Sequence, residues 1–192
     1  MNTAFVLGNG ISRAGVDLTW LRTHGTIYGC NALYREFEPD VLVATDRPIA
    51  EQIQKSGYAL THVFYTRNPM PGSGARAIPK HFWSFSSGQV ALGLAANDKN
   101  TQIYMLGFDM GPTSNNKFNN VYADTEFYKT SQSVPTYTGN WISQVAKVAK
   151  RYPKTQFTRL VGATTATIKE LQNIENLAHQ SLPEFLKQLN NG

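Results

Sequence analysis

Short apolar runs alternate with segments of helical pattern along most of this chain of 192 residues. The runs have the length of buried strands, and each is followed by residues that favour turns. Alternating strands and helices are typical of an α/β fold with a largely parallel sheet, because each parallel connection needs a crossover that a helix supplies. The predicted strands are residues 3–7, 26–30, 41–44, 62–65, 102–106 and 156–160.

Helical patterns fill most of the intervals between these strands, and two intervals have none. A basic loop rich in proline and glycine occupies residues 65–81, and a long polar stretch of Asn, Thr, Ser and Tyr follows Asp109. We predict a single domain over residues 1–192, with a lid loop in the polar stretch and a C-terminal helical tail over residues 165–192, interrupted near Pro183. The predicted helices are residues 18–24, 32–37, 48–55, 87–96 and 140–151.

The composition excludes several classes of protein. Apolar residues make up 41% and charged residues 16%, so the chain is neither a disordered tail nor a coiled coil. No apolar stretch approaches the roughly 20 residues needed to cross a bilayer, and the N-terminus lacks the basic and apolar regions of a signal peptide. The single cysteine, Cys30, excludes an internal disulfide and a multi-cysteine zinc site. We therefore expect a soluble, cytoplasmic protein.

The net charge of +5 raises the question of a polyanionic partner. Much of the excess lies at the predicted helix 140–151, opposite an apolar face, which is typical of a solvated surface. We therefore expect no nucleic acid partner, although binding through this helix stays open as a competing hypothesis. The basic loop could close over a phosphate or be an irregular surface crossing. The cations are Lys147, Lys150, Arg151 and Lys154 at the helix, and Arg67, Arg76 and Lys80 in the loop.

Polar side chains directly follow several of the predicted strands. In parallel α/β sheets, ligands bind outside the carboxyl ends of the strands, where the strand order reverses. Glycine at such an end lets the backbone approach a ligand, and asparagine offers both a donor and an acceptor to a ribose or a base. A helix that begins there adds unpaired amides and its dipole, which favour an anion. The sequence therefore predicts a ligand site that contains Asn9, Ser12, Asn31, Asp46, Arg47 and Asp109.

Five short motifs follow one another along the chain: GNGIS from Gly8, GCN from Gly29, SSG from Ser86, IYMLGFD from Ile103 and YADT from Tyr122. In order and spacing, over about residues 3–160, they resemble the bacterial sialyltransferases of the Campylobacter type. The chain is also similar to the wider set of sialyltransferase-like Rossmann domains, which includes archaeal hydroxymethylpterin pyrophosphokinases and flagellin-modifying proteins. The resemblance implies a Rossmann-like fold of the GT-A-variant type, with helices on both faces of the sheet.

The resemblance also implies a nucleotide site. Asn9 lies in the loop that matches the phosphate and ribose side, and Asn31 matches an asparagine that faces the nucleotide. Tyr122 matches a tyrosine that hydrogen-bonds the departing phosphate, where a hydroxyl can stabilise developing charge. With two residues added from the strand ends, Ser12 and Arg47, the predicted nucleotide-binding residues are Gly8, Asn9, Gly10, Ser12, Asn31, Arg47, Ser86, Ser87, Gly88, Gly107 and Asp109.

Two departures from the family pattern leave the reaction open. The family has a histidine base before the helix that here begins near Asn140, whereas this chain has no histidine between His81 and His179. Loss of a general base lowers a rate by about 10²- to 10⁴-fold. Asp46 stands where the family has an asparagine, so a carboxylate replaces an amide at that strand end.

Our leading hypothesis is a glycosyltransferase-like enzyme that uses a nucleotide-activated sugar of the CMP-sugar type, with Tyr122 and Asp46 as catalytic residues. One alternative is a catalytically silent nucleotide-binding module, which the missing histidine favours. The other is a metal-dependent pyrophosphokinase or nucleotide hydrolase, in which Asp46 and Asp109 hold Mg²⁺ against a di- or triphosphate. The leading hypothesis predicts no metal site, and the sequence is compatible with a homo-oligomer.

Overall fold

Eight parallel strands form one sheet in the computed structural model, which describes residues 2–191. Across the sheet, every neighbouring pair of strands is parallel. The prediction of an α/β fold with a largely parallel sheet is therefore confirmed. The strands are β1 (Thr3–Leu7), β2 (Thr26–Cys30), β3 (Val41–Ala44), β4 (Phe64–Thr66), β5 (Arg76–Ala77), β6 (Gln102–Leu106), β7 (Gln156–Val161) and β8 (Leu177–Ser181), in the spatial order β5-β4-β3-β2-β1-β6-β7-β8.

Helices cover both faces of this sheet, which is consistent with the predicted Rossmann-like architecture. Within residues 2–191 they are α1 (Leu18–Arg22), α2 (Arg47–Lys55), α3 (Ser87–Asn97), α4 (Gly139–Arg151), α5 (Lys169–Gln172) and α6 (Leu182–Asn191). Helices α3, α4 and α5 share one apolar layer with the sheet, and α1, α2 and α6 share the other. None of these helices is long and apolar enough to span a membrane.

Strand β1 shows how the sequence builds the two layers. Ala4 and Val6 point into the layer that contains α3, and Phe5 and Leu7 point into the opposite layer. This division follows from the period of two residues in a strand, which sends successive side chains to opposite faces. All four side chains are fully buried, so both faces of the central strand contribute to the hydrophobic core.

The strand order reverses beside β1, which pairs with β2 on one side and with β6 on the other. Directly after these strands, the Gly8 amide donates to the Leu106 carbonyl at 2.8 Å. A Cβ atom on Gly107 would lie 2.6 Å from the Gly8 carbonyl oxygen, and Gly107 has a φ of +67°. Only glycine fits this crossing, which keeps the ends of β1 and β6 together at the rim where ligands bind in such sheets.

The chain from residue 165 onward differs from the predicted helical tail. Helix α5 is followed by strand β8, which pairs with β7, and then by α6. Pro183 lies in the first turn of α6, where an N–H has no helical partner, and therefore does not interrupt the helix. Only Leu177 of β8 is buried, so the strand has neither an apolar run nor the alternation that would reveal it in the sequence.

The two intervals that were predicted as loops are largely irregular. The basic loop contains only the two residues of β5, and β4 before it starts at Phe64 rather than at residue 62. The long polar segment, residues 107–138, contains neither a helix nor a strand. It packs beside the loop that follows β1. The Val121 amide donates to the Asn9 carbonyl, and the Ile11 amide donates to the Asn119 side chain, each at 2.8 Å.

Candidate functional site

A cavity of about 380 Å³ opens at the carboxyl ends of β1, β2, β3 and β6, beside the point where the strand order reverses. The start of α3 closes one side, and the long polar segment closes another. The volume lies within the range of small-molecule sites in proteins, about 300 to 1,000 Å³. Most of the residues predicted from the strand ends and motifs line this cavity: Gly8, Asn9, Gly10, Asn31, Asp46, Ser86, Ser87, Gly88, Gly107 and Asp109.

Three residues in the first turn of α3, residues 87–89, line the cavity. Val90 donates to the Ser86 carbonyl at 2.9 Å, as expected for the first intrahelical bond, and Ser86 does not cap the helix with its side chain. The amides of residues 87–89 have no hydrogen-bond acceptor within residues 2–191. Unpaired amides and the positive end of the helix dipole together favour an anion at this place.

The Ser87 hydroxyl fixes the start of α3 against the ends of two strands. Its Oγ donates to Asn31 Oδ1 at 2.9 Å and accepts from the Thr45 amide at 3.0 Å. Asn31 has a φ of +53°, in the left-handed region that non-glycine residues rarely adopt. Because its oxygen is engaged by Ser87, the Asn31 side-chain amino group is the part that is available to a ligand in the cavity.

Asp109 is a structural carboxylate rather than a free ligand of the cavity. It is 2% exposed and accepts four hydrogen bonds, from the amide and hydroxyl of Ser12 and from the hydroxyls of Thr164 and Thr165. A carboxylate has about four acceptor positions, so none is left for a metal or a ribose. Ser12 itself lies outside the lining and serves this network.

A divalent cation therefore does not fit the predicted pair of Asp46 and Asp109. Residues 2–191 also contain no group of three or more His, Cys, Asp or Glu side chains that could hold a metal ion. Asp46 is exposed at the start of α2, lines the cavity and makes no side-chain hydrogen bond within that part of the chain. Its oxygens are free to accept a proton or a hydrogen bond from a bound molecule.

Tyr122, which was predicted as a catalytic residue, does not line the cavity. Its buried hydroxyl accepts from Arg13 Nη2 at 2.8 Å and donates to Glu36. Burial raises the pKa of Tyr122 far above its ordinary value, although the Arg13 guanidinium opposes that shift. Arg13 is itself buried, and its Nε donates to the Gly8 carbonyl at 2.8 Å. Tyr122 thus anchors the long polar segment to the loop after β1.

The arginines predicted to screen a phosphate also lie outside the cavity. The Arg47 side chain is 85% exposed, and its Nε lies 2.6 Å from a carboxylate oxygen of Glu51, one turn later in α2. Arg67, in the basic loop, donates to three backbone carbonyls, including those of Thr45 at 3.1 Å and Phe85 at 2.9 Å. Among residues 2–191, Lys129 of the long polar segment is the one lysine or arginine that lines the cavity.

Cys30 lines the cavity as a protonated thiol. Its side chain is buried, and its Sγ lies 3.5 Å from the Leu7 carbonyl oxygen. Burial raises the pKa of Cys30 to about 12, Arg13 opposes the shift and Asp46 adds to it. Because the thiolate is the reactive form, this thiol is not a nucleophile near neutral pH.

Several residues that form the site were not predicted from the sequence. Arg159, 1% exposed in β7, supports the cavity floor by donating to the carbonyls of Phe108 and Asp109, each at 2.9 Å. Burial lowers the pKa of Arg159 to about 10, and Asp109 opposes that shift. The sequence signal for Arg159 was an arginine within a predicted strand, next to Leu160. Gln89, Lys129 and Trp141 also line the cavity without having been singled out.

Comparisons with family models, with curated proteins and with solved structures found no match to this chain. The residues that line the cavity therefore carry the functional inference, together with the order of the motifs in the sequence. The motifs starting at Gly8, Gly29, Ser86 and Ile103 each contribute residues to this one cavity, whereas the Tyr122 motif contributes none.

Proposed function

We propose that the cavity binds a nucleotide and that the protein transfers a group from a nucleotide-activated donor, a nucleotide sugar of the CMP-sugar type. The observation that supports this best is the set of three unpaired amides of residues 87–89, which line a cavity that opens at the reversal of strand order. On this proposal the fold is a sialyltransferase-like variant of the GT-A type, and the long polar segment is its lid.

The lining suits a ligand with one phosphate and a flat ring. The amides of residues 87–89 would bind the phosphate oxygens, and Lys129 would add one positive charge. A second or third phosphate would find no further cation among the lining residues that the structure describes. The aromatic side chains of Phe108 and Trp141 offer faces on which a base can stack.

Asp46 is the group that we assign to proton transfer. No histidine lines the cavity within residues 2–191, and Asp46 is the lining carboxylate whose oxygens are free. An Asp46 oxygen takes the proton of an acceptor hydroxyl, whose oxygen bonds to the anomeric carbon as the bond from that carbon to the phosphate breaks. The electron pair leaves with the nucleoside monophosphate, whose new negative charge the amides of residues 87–89 stabilise.

Isothermal titration with cytidine, uridine, adenosine and guanosine monophosphates tests the binding step. We expect at least one of them to bind with a micromolar dissociation constant, and Lys129→Ala to weaken it about fivefold because an exposed cation contributes modestly. Lys154→Ala is the matched control, since Lys154 is exposed outside the lining, and it should leave the affinity unchanged. Absence of binding at millimolar nucleotide would contradict the proposal.

A catalytically silent nucleotide-binding module is the second candidate, because no histidine lines the cavity and Tyr122 is turned away from it. Hydrolysis of a CMP-sugar donor separates the two functions. An enzyme releases cytidine monophosphate, and Asp46→Asn lowers that rate at least tenfold while the affinity changes little. Tight binding without release of cytidine monophosphate supports the module.

A further inference from the structure

One glutamine in the cavity has no partner for its side chain. Gln89, the third residue of α3, is 5% exposed, lines the cavity and makes no side-chain hydrogen bond within residues 2–191. Gln54 is equally buried, yet its amino group donates to the carbonyls of Ala50 and Asn68 and its oxygen accepts from the Met70 amide. The same side chain at the same burial is thus hydrogen-bonded within the fold at one place and not at the other.

Buried polar side chains in proteins nearly always have hydrogen-bond partners, because removing such a group from water without replacing its hydrogen bonds is unfavourable. Gln89 makes no such bond within residues 2–191, yet its carboxamide atoms are not sealed off, since the fully buried and unpaired side-chain atom in that part of the chain is the Tyr58 hydroxyl. Gln89 lines the cavity, so a molecule bound there can reach the carboxamide and provide the partners that the fold does not.

The chemistry of the carboxamide defines what that molecule offers. A phosphate needs donors only, which the amides of residues 87–89 and Lys129 supply, and the Gln89 oxygen would repel it. A carboxamide carries a donor and an acceptor side by side, so its best partner presents an acceptor beside a donor in one plane. The polar edge of a nucleobase has this pattern, and glutamine reads adenine in this way. Phe108, Met110 and Trp141 supply the apolar surface that a flat base needs.

We propose that Gln89 recognises the hydrogen-bonding edge of the base of the bound nucleotide and sets which base the cavity prefers. This inference rests on the proposed nucleotide site. It makes Gln89 a specificity residue, separate from the phosphate contacts made by the backbone of the same helical turn.

Gln89→Leu tests the inference, because leucine has a similar volume and no hydrogen-bonding groups. Titration of the wild-type protein with the four ribonucleoside monophosphates should show one preferred base, bound at least about tenfold more tightly than the others. In Gln89→Leu the affinity for that nucleotide should fall by about 10- to 100-fold while the other three change little, so that the preference disappears. Gln172→Leu is the control, since Gln172 is exposed outside the lining, and it should leave the preference unchanged.

Thermal unfolding distinguishes recognition from a structural role. Because Gln89 has no partner within the fold, Gln89→Leu should unfold at the same temperature as the wild type or a higher one. A variant with reduced nucleotide affinity and undiminished stability supports the inference. Gln89→Met takes the place of Gln89→Leu if the latter does not fold, since both remove the carboxamide at similar volume.

Three results would overturn the inference: a wild-type protein with no base preference, a preference that survives in Gln89→Leu, or an equal loss of affinity for all four nucleotides. The last result would put the carboxamide on the ribose or the phosphate. Failure of the wild type to bind any nucleotide would overturn the proposed function as well, so the two failures are distinguishable.

Discussion

Replacing Asp109 by alanine should lower the free energy of unfolding by about 3 to 5 kcal/mol. The substitution removes the acceptor for the Ser12 amide and for three hydroxyls, those of Ser12, Thr164 and Thr165. An unsatisfied buried donor costs about 1 to 3 kcal/mol, and hydroxyls that can turn toward the cavity recover part of that cost. A loss of this size is a large fraction of the roughly 5 to 15 kcal/mol that stabilises a domain.

Asp109→Asn should cost less, about 1 kcal/mol. The carboxylate oxygen Oδ1 accepts only from hydroxyls, those of Ser12 and Thr165. An amino group placed there can donate to both hydroxyl oxygens after they rotate, whereas Oδ2 keeps its bonds to the Ser12 amide and to Thr164. The stability of the series should therefore decrease from wild type to Asp109→Asn to Asp109→Ala.

Asp46→Ala is the matched control, because Asp46 lines the same cavity, is exposed and has no hydrogen-bond partner within residues 2–191. Its free energy of unfolding should stay within about 0.5 kcal/mol of the wild type. Urea unfolding followed by tryptophan fluorescence measures all three variants, provided that the slope with urea is unchanged. If Asp109→Ala lies within about 1 kcal/mol of the wild type, or Asp46→Ala costs as much, the structural assignment of Asp109 is wrong.

Three further perturbations have expected outcomes. Phe127→Gly should raise the free energy of unfolding by up to about 1 kcal/mol in urea, because Phe127 has a φ of +71° and is 45% exposed. Tyr122→Phe should lower it by about 1 kcal/mol through loss of the Arg13 and Glu36 hydrogen bonds, without changing nucleotide affinity in a titration. Burial raises the pKa of Cys30 from 9.0 to about 12. The contribution of the neutral thiol to the free energy of unfolding is therefore fully present below pH 9 and is lost as the pH rises toward 12. From pH 9 to pH 11, the wild type should therefore lose about 2 kcal/mol more than Cys30→Ala in urea unfolding, and an equal loss would contradict the buried neutral thiol.

The strands whose predicted bounds the structure reproduces lie inside the sheet and are mostly buried. Strands β1, β2, β3 and β6 have the predicted bounds, because each is a continuous run of residues that pack on both faces. Strand β8 was missed because it lies at the edge of the sheet and has only Leu177 buried. Strand β5 was missed because two residues within a proline- and glycine-rich loop show no periodicity.

The position of the candidate site was predictable, because the carboxyl ends of parallel strands lie at the same edge of a sheet. This placement does not depend on the directions of the side chains that follow the strands. The direction of individual side chains was not predictable, because distant contacts decide it. Tyr122 turns toward Arg13, which is 109 residues away in sequence, and Arg47 turns toward Glu51 on its own helix. Gln89 was missed because a glutamine in the first turn of a helix usually faces solvent, and only the cavity shows otherwise.

The most direct test of the nucleotide site is an NMR titration of the ¹⁵N-labelled protein with cytidine monophosphate. The proposed site predicts that the largest shifts of backbone amide resonances occur at residues 87–89, because these amides gain acceptors from the phosphate. The amide of Lys129 should shift as well, since its side chain lines the same cavity. If the amide resonances of residues 87–89 do not shift while those of the basic residues on α4 do, the anion binds elsewhere and the nucleotide site is contradicted.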